Sequence, residues 1–283
     1  MKKLMTVLAV VALFAALAVP AFAADKGDVK IAYVEWDCAT ASTTVAQAAL
    51  EKMRYNVEII PVGAAAMWQA VATGDVDAMV TAWLPVTHGD YLKQVDGKVE
   101  DLGVIVGGAR LGWAVPTYVT IDSITELNAN AEKFDNKIIG IDPGAGLMKL
   151  SEEAMKEYDL SNFELMEGSG ATMTAALDTA IKNDNWVVVT AWSPHWMFGR
   201  WDLKYLKDPK GVLGEEETIH TIARKGLKAD MPEVYNFFNN FAWKDASQLQ
   251  MVMAWNQEEG TTPEENAKKF IAENPDMYKA WTK

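Results

Sequence analysis

The chain has 283 residues, half of them apolar, and carries 39 acidic against 26 basic side chains, for a formal net charge of −13. That acidic balance argues against a nucleic-acid partner, which demands basic surface, and the single cysteine, Cys38, excludes an internal disulfide. No C-x-x-C, H-E-x-x-H or cluster of histidines is present, so a metal site has no support.

The N-terminus reads as a targeting segment. Lys2 and Lys3 precede an apolar run from Leu4 to Val19, and Ala21-Phe22-Ala23 offers the A-x-A pattern that signal peptidase cuts after. Residues 1–23 are therefore expected to be a signal peptide, with the mature chain starting at Ala24. The run is too short, and wrongly flanked, for a membrane anchor. No cysteine follows it closely, so lipidation is not expected. The reading is a soluble exported protein, most simply periplasmic, and long enough for about two domains.

The first half then alternates strands and helices. KIAYV (30–34) predicts a strand, STTVAQAALEK (42–52) a helix with Ser/Thr caps, and VEIIPV (57–62) a strand. AAAMWQAVAT (64–73) predicts a helix stopped by Gly74, and residues 78–80 a short strand leading into the corner TAWLP. The second half repeats the plan at nearly the same spacing. KIIGI (137–141), FELME (163–167) and WVVV (186–189) read as strands, with helices over 147–158 and 171–182, and a second corner TAWSP follows. Such alternation predicts an α/β protein of βαβ units on mainly parallel sheet, in two lobes rather than one larger sheet.

The chain is expected to cross between lobes near GWAVPT (112–117) and to return near 214–221, and two crossings make a hinge. Helices over 231–241, 246–255 and 263–273 then cover the first lobe. The expected division is 24–114 plus 219–283 for lobe one and 115–218 for lobe two.

In such sheets ligands sit beyond the carboxyl ends of the strands. Both TAW corners lie there, as do Glu35-Trp36-Asp37 and Asp142-Pro143-Gly144-Ala145-Gly146. If the lobes face each other, the four corners line one cleft. Any one of the eleven tryptophans is more often a packing residue. Trp36, Trp83 and Trp192 at equivalent corners reverse that preference, because several indole faces around one point make a cage for a cation that cannot donate hydrogen bonds, such as a quaternary ammonium. The amides of Gly146 and Leu147, at the start of a helix, offer a carboxylate seat, although a tight β–α turn would read the same way. His88 can donate to an anion, but its position alone favours a partly exposed capping histidine.

The remaining aromatic and charged residues read as structural. Trp68, Trp113, Trp186, Trp196 and Trp201 read as packing, with Trp68 and Trp196 near the cleft. Trp243, Trp255 and Trp281 belong to the C-terminal helices, and His220 to the return strand. Glu152-Glu153 and Glu215 to Glu217 read as solvated faces. No serine or cysteine has a recognisable histidine and acid partner, so no catalytic residue is assigned.

The segments YVEWDCATAST, AAMWQAVATGDVDAMVTAWLPVTH, KIIGIDPGAGLMKL, VVVTAWSPHWMFGRWDLKYLKDPK and IHTIARKG resemble the glycine betaine/proline betaine substrate-binding proteins of ABC transporters, from about Lys30 to the C-terminus. The resemblance implies a bilobal periplasmic-binding-protein fold of the type II kind. It implies a prism of Trp36, Trp83 and Trp192 around a trimethylammonium group, and contacts from the Gly146 and Leu147 amides and the His88 side chain to a carboxylate. Cys38 stands where that family is associated with serine. The implied role is capture by lobe closure and delivery to a membrane permease, as a monomer and with no cofactor. Choline, carnitine and dimethylsulfoniopropionate fit the cage as alternative ligands. A sensory module presenting its ligand to a receptor is also open. An enzyme acting on a quaternary amine would have to work with Asp37, Asp142, His88 or His195, none with an evident partner.

Overall fold

The computed structural model describes residues 25–283; the expected signal peptide and its cleavage point before Ala24 lie outside the described residues. The first half is built from β1 (Asp28–Tyr33), α1 (Asp37–Lys52), β2 (Asn56–Pro61), α2 (Ala64–Thr73), β3 (Ala78–Leu84), α3 (Gly89–Gln94) and the long β4 (Val99–Pro116). The second contains β5 (Lys137–Ile139), α4 (Gly146–Glu157), β6 (Glu164–Met166), α5 (Gly170–Lys182), β7 (Val189–Ser193), α6 (Met197–Arg200) and β8 (Leu203–Tyr205). The chain then returns through β9 (Glu217–Arg224) and ends in α7 (Leu227–Asp230), α8 (Pro232–Asn240), α9 (Ala246–Trp255), α10 (Pro263–Glu273) and α11 (Pro275–Trp281).

Two expectations about α1 and the TAW corners are corrected. Helix α1 starts at Asp37, directly after Trp36, and not at Ser42. Ser42, Thr43 and Thr44 are buried inside it, and the Thr44 hydroxyl donates back to the carbonyl of Thr40 (2.9 Å) instead of capping an end. The tryptophan corners are strand rather than turn: β3 is buried throughout and runs through Thr81-Ala82-Trp83, and β7 is Val189–Ser193, C-terminal to most of the expected 186–189. Both corners end in cis peptide bonds, Leu84-Pro85 and Ser193-Pro194. Helix α2 stops where expected, because Gly74 takes the left-handed conformation (φ 78) that closes a helix end.

The strand order is β2-β1-β3-β9-β4-β7-β5-β6, with β8 on β4. The sheet is mixed, not mainly parallel. Pairing is parallel for β1 with β2 and β3, and for β5 with β6 and β7. The returning β9 inserts between β3 and β4 and runs antiparallel to both. Strand β4 has no βαβ signature in its sequence, and it holds the molecule together. Its residues up to Ala109 pair with β9, and those from Arg110 pair with β7 and then β8. Its register breaks at several points, and Gly108 at φ 71 bends it just before it changes partners. Two α/β lobes result, sharing this strand.

The C-terminal helices cover the first lobe. The small residues of α1 let it lie between the sheet and helices α9 and α10, where Trp243 donates from Nε1 to the buried Ser42 hydroxyl (3.1 Å). Behind this, Phe237, Phe241, Phe270, Trp243 and Trp281 form an aromatic core, with Phe241 and Trp281 centroids 4.8 Å apart. Helix α10 begins in a reciprocal Thr262/Glu265 capping box with Pro263 next, each element satisfying an otherwise orphaned amide or fitting its absence.

Candidate ligand-binding site

The carboxyl ends of β1, β3, β5 and β7 meet at the junction of the lobes. They line a pocket whose empty space, its open mouth included, is about 310 Å³. The structure brings all six residues singled out from the sequence to its wall: Trp36, Trp83, Trp192, His88, Gly146 and Leu147. Cys38, Thr87, Leu111, Ile141 and Ala145 complete the lining. No aspartate, glutamate, lysine or arginine is among these residues, so a charged group inside would meet only ring faces, dipoles and apolar carbon.

Each indole is held differently. Trp36 caps the start of α1, and its Nε1–H donates to Asp142 Oδ1 of the opposite lobe (2.7 Å). Trp83 belongs to β3, whose pairing with β9 fixes its direction. Trp192 belongs to β7, and His195 packs edge-on against it, with centroids 4.4 Å apart and planes at 87°. The three rings are 3–6% exposed, so their faces are almost fully withdrawn from water.

His88 departs from its expected role as a partly exposed cap. It is 1% exposed and makes no side-chain cap bond to α3. Its Nδ1 accepts the backbone N–H of Trp83 (3.1 Å). A nitrogen that accepts carries no proton, so the ring proton sits on Nε2. That Nε2 is buried and has no protein partner. Burial pushes the pKa of His88 down to about 3, which keeps the ring neutral. Trp68, fully buried, supports it edge-on from behind at 6.0 Å.

Opposite His88 lies the start of α4. The first helical amides, of Gly146 and Leu147, precede any intrahelical acceptor, and the first backbone bond of the turn is made by Met148 to Ala145. Gly146 also marks a close approach of the lobes: a Cβ there would lie 2.3 Å from the carbonyl oxygen of Thr87. Thr87 is itself fixed from an unexpected direction. Glu217, expected on a solvated face, is 4% exposed, and its Oε1 accepts the N–H groups of Val86 (2.6 Å) and Thr87 (2.9 Å). Its Oε2 accepts the Thr87 hydroxyl. A buried carboxylate needs such donors, and nothing local in an E-E-E run says which glutamate will find them.

The acid and base candidates are otherwise engaged. Asp142 holds Trp36. Asp37 accepts from Trp196 Nε1 (2.9 Å) and Gln257 Nε2 (3.0 Å). His195 is fully buried, accepts the N–H of Met197 at Nδ1 (3.1 Å), and places Nε2 3.2 Å from Asp37 Oδ2, out of hydrogen-bonding line. His220 is tied into the sheet by Asp101 (2.9 Å) and Thr218 (2.7 Å). Cys38 lines the pocket, but burial first and the Asp37 charge second push its pKa up to about 12, leaving a neutral thiol that is a poor nucleophile. Cys38 and Thr87 lie within two residues of Trp36 and His88, which is the sequence signal that points to them, and Asp142 stands in the corner that the sequence places on the cleft. Leu111, on β4, had no such signal.

The sequence profile of the OpuAC family, described as the substrate binding domain of the ABC-type glycine betaine transport system, matches residues 27–273. The glycine betaine/carnitine transport binding protein GbuC of Listeria monocytogenes is 46% identical over 153 residues, covering 53% of this chain and 50% of that protein. The match thus spans half the length of that relative. The glycine betaine, L-proline-binding protein of Borrelia burgdorferi superposes with a TM-score of 0.87 at 39% identity, covering 90% of this chain and 97% of that one. Lactococcal OpuAC in its closed conformation with glycine betaine superposes with a TM-score of 0.86 at 41% identity, covering 91% of this chain and 100% of that one.

Proposed function

The chain belongs to the family of substrate binding domains of ABC-type glycine betaine transport systems, a family of transport binding proteins and not of enzymes; from that premise we propose that it captures glycine betaine, or a closely related quaternary-ammonium zwitterion, between its lobes and delivers it to a membrane permease. The carrying observation is the pocket wall: three buried indoles, one neutral histidine donor and two free helix amides, with no charged side chain. An ordinary ammonium would be left with unsatisfied N–H donors in such a site. A trimethylammonium has none, and gains roughly 0.5–2 kcal/mol from each desolvated ring face. The carboxylate of the same ligand then takes His88 Nε2–H and the Gly146 and Leu147 amides, where the helix dipole favours negative charge. A zwitterion carries both groups and no net charge, which suits a wall without ions.

Ligand contacts on both lobes draw them together, so affinity and closure are one event. Closed lobes are a form a permease can distinguish from open ones. The lobe division at 24–114 plus 219–283 and 115–218 belongs to this proposal, with the hinge in the later part of β4 and the first residues of β9. Operation outside the cytoplasm, after removal of residues 1–23, belongs to it too. So does a monomeric state. No helix among the described residues is long and apolar enough to cross a membrane.

The test is calorimetric titration of the purified chain with glycine betaine, and with choline beside it. Binding in the micromolar range, about −8 kcal/mol, with choline much weaker, is the expected result. Choline binding as tight as betaine would remove the carboxylate roles of His88, Gly146 and Leu147. Absence of binding to either would overturn the proposal.

A further inference from the structure

Two hydrogen bonds cross the cleft outside the pocket in opposite directions. Trp36, on the β1 side, donates from Nε1 to Asp142 on the β5 side (2.7 Å). Trp196, on the β7 side, donates from Nε1 to Asp37 on the β1 side (2.9 Å). Each lobe thus gives one indole N–H and receives one with a carboxylate. The first bond acts directly on a wall of the pocket. The second acts through a stack, in which Trp196 lies against His195 (5.4 Å, 33°) and His195 stands edge-on to Trp192 (4.4 Å, 87°). Gln257, in the turn after α9, steadies Asp37 by donating to the same oxygen (3.0 Å).

We propose that Asp37 and Asp142 are positioning residues that form a crosswise latch, so that the Trp36 and Trp192 walls of the pocket reach their binding orientation only when the lobes close. The proposal rests on the functional reading above. An indole N–H is a donor only, so a single bond at its nitrogen edge fixes the direction in which that edge points, and packing on the ring faces fixes the rest. The acceptors are charged, which makes these bonds stronger than neutral ones. A carboxylate on the N–H also polarises the indole, placing more negative charge on the face that a cation meets. When the lobes part, donor and acceptor separate and return to water. The bonds therefore favour the closed form without favouring either separate lobe. The carboxylates stay outside the lining, so they add this orientation without giving an ordinary amine a hydrogen-bonding partner inside.

The test uses the full chain with Asp142→Ala, Asp142→Asn, Trp36→Phe and the Asp142→Ala/Trp36→Phe double variant. Glycine betaine affinity is measured by calorimetry, dissociation by stopped-flow tryptophan fluorescence, and melting with and without ligand. Asp142→Ala is expected to raise Kd about tenfold or more, mainly through faster dissociation, with the ligand-free melting temperature unchanged. Asp142→Asn keeps an accepting oxygen and should recover part of the loss. Trp36→Phe keeps the ring face without the donor, so adding Asp142→Ala to it should cost little more. Unchanged affinity in Asp142→Ala overturns the latch, as does full additivity of the two changes or a drop in ligand-free melting that accounts for the weaker binding. If the unmodified chain binds neither glycine betaine nor choline, the functional reading falls, and the latch with it.

Discussion

Gly146 offers the sharpest test of closure. A methyl group at this position would lie 2.3 Å from the Thr87 carbonyl oxygen and 2.6 Å from its Cγ2, where ordinary contacts begin near 3.4 Å. The threonine cannot retreat, because Val86 and Thr87 are bonded through both amides to the buried Glu217. Gly146→Ala must then hold the lobes apart by about 1 Å at the point where His88, next in sequence to Thr87, faces the Gly146 and Leu147 amides. Overpacking of this kind costs roughly 1–3 kcal/mol, a loss of about 5- to 150-fold in ligand affinity. The open form bears none of this. Gly146 is the first residue of α4, and alanine is a better helix former than glycine by up to about 1 kcal/mol. The ligand-free variant should therefore melt at the same temperature as the unmodified chain or higher, while calorimetry with glycine betaine shows the weakened binding. Affinity within twofold of the unmodified chain would refute the argument, and so would an equal loss of ligand-free stability.

Trp192→Ala removes one ring face from the cage and should weaken glycine betaine binding by about 2 kcal/mol, roughly thirtyfold; calorimetry in which the variant matches the unmodified chain would show that this ring faces no cation. Protonation of His88 gives a pH signature. Its folded pKa, near 3 by burial, lies below the unfolded value of about 6.5. The unfolded chain therefore binds the extra proton first, and the stability contributed is complete above about pH 6.5 and lost as pH falls toward 3. Denaturant titrations should show about 2 kcal/mol less stability at pH 5 than at pH 6.5 from this group, a slope that His88→Gln flattens; an identical slope in both proteins would contradict the buried neutral imidazole. Cys38, held as a neutral thiol, should react with iodoacetamide far more slowly than free cysteine at pH 8, and more slowly again with glycine betaine present. Mass spectrometry showing ligand-independent labelling would place the thiol outside the pocket.

The order of strands and helices was legible in residue patterns, because local periodicity and stop signals act over a few residues. Gly74 ends α2 by its own freedom at positive φ, and the DPGAG turn opens α4 where a helix was expected. The repeated Thr-Ala-Trp-x-Pro segments pointed to two equivalent strand ends, and the structure sets both beside one pocket. Boundaries were less legible: α1 swallows Ser42 to Thr44 because the helix is packed on every side and needs small residues more than it needs a cap.

What tertiary structure alone decided are properties that depend on neighbours far away in sequence. Strand β4 became the strand common to both lobes only because β9 returns to one part of it and β7 pairs with the other. Glu217 became a buried anchor because the 85–88 loop brought three donors to it, while Glu215 and Glu216 beside it stayed at the surface. His88 is withdrawn from water by Trp83, Trp68 and the lobe opposite, and that burial keeps its ring neutral. Composition and spacing specify which groups a chain owns and how each segment folds locally; which of them are dried, paired or pressed together is set by long-range packing, where desolvation and hydrogen-bond partners are assigned.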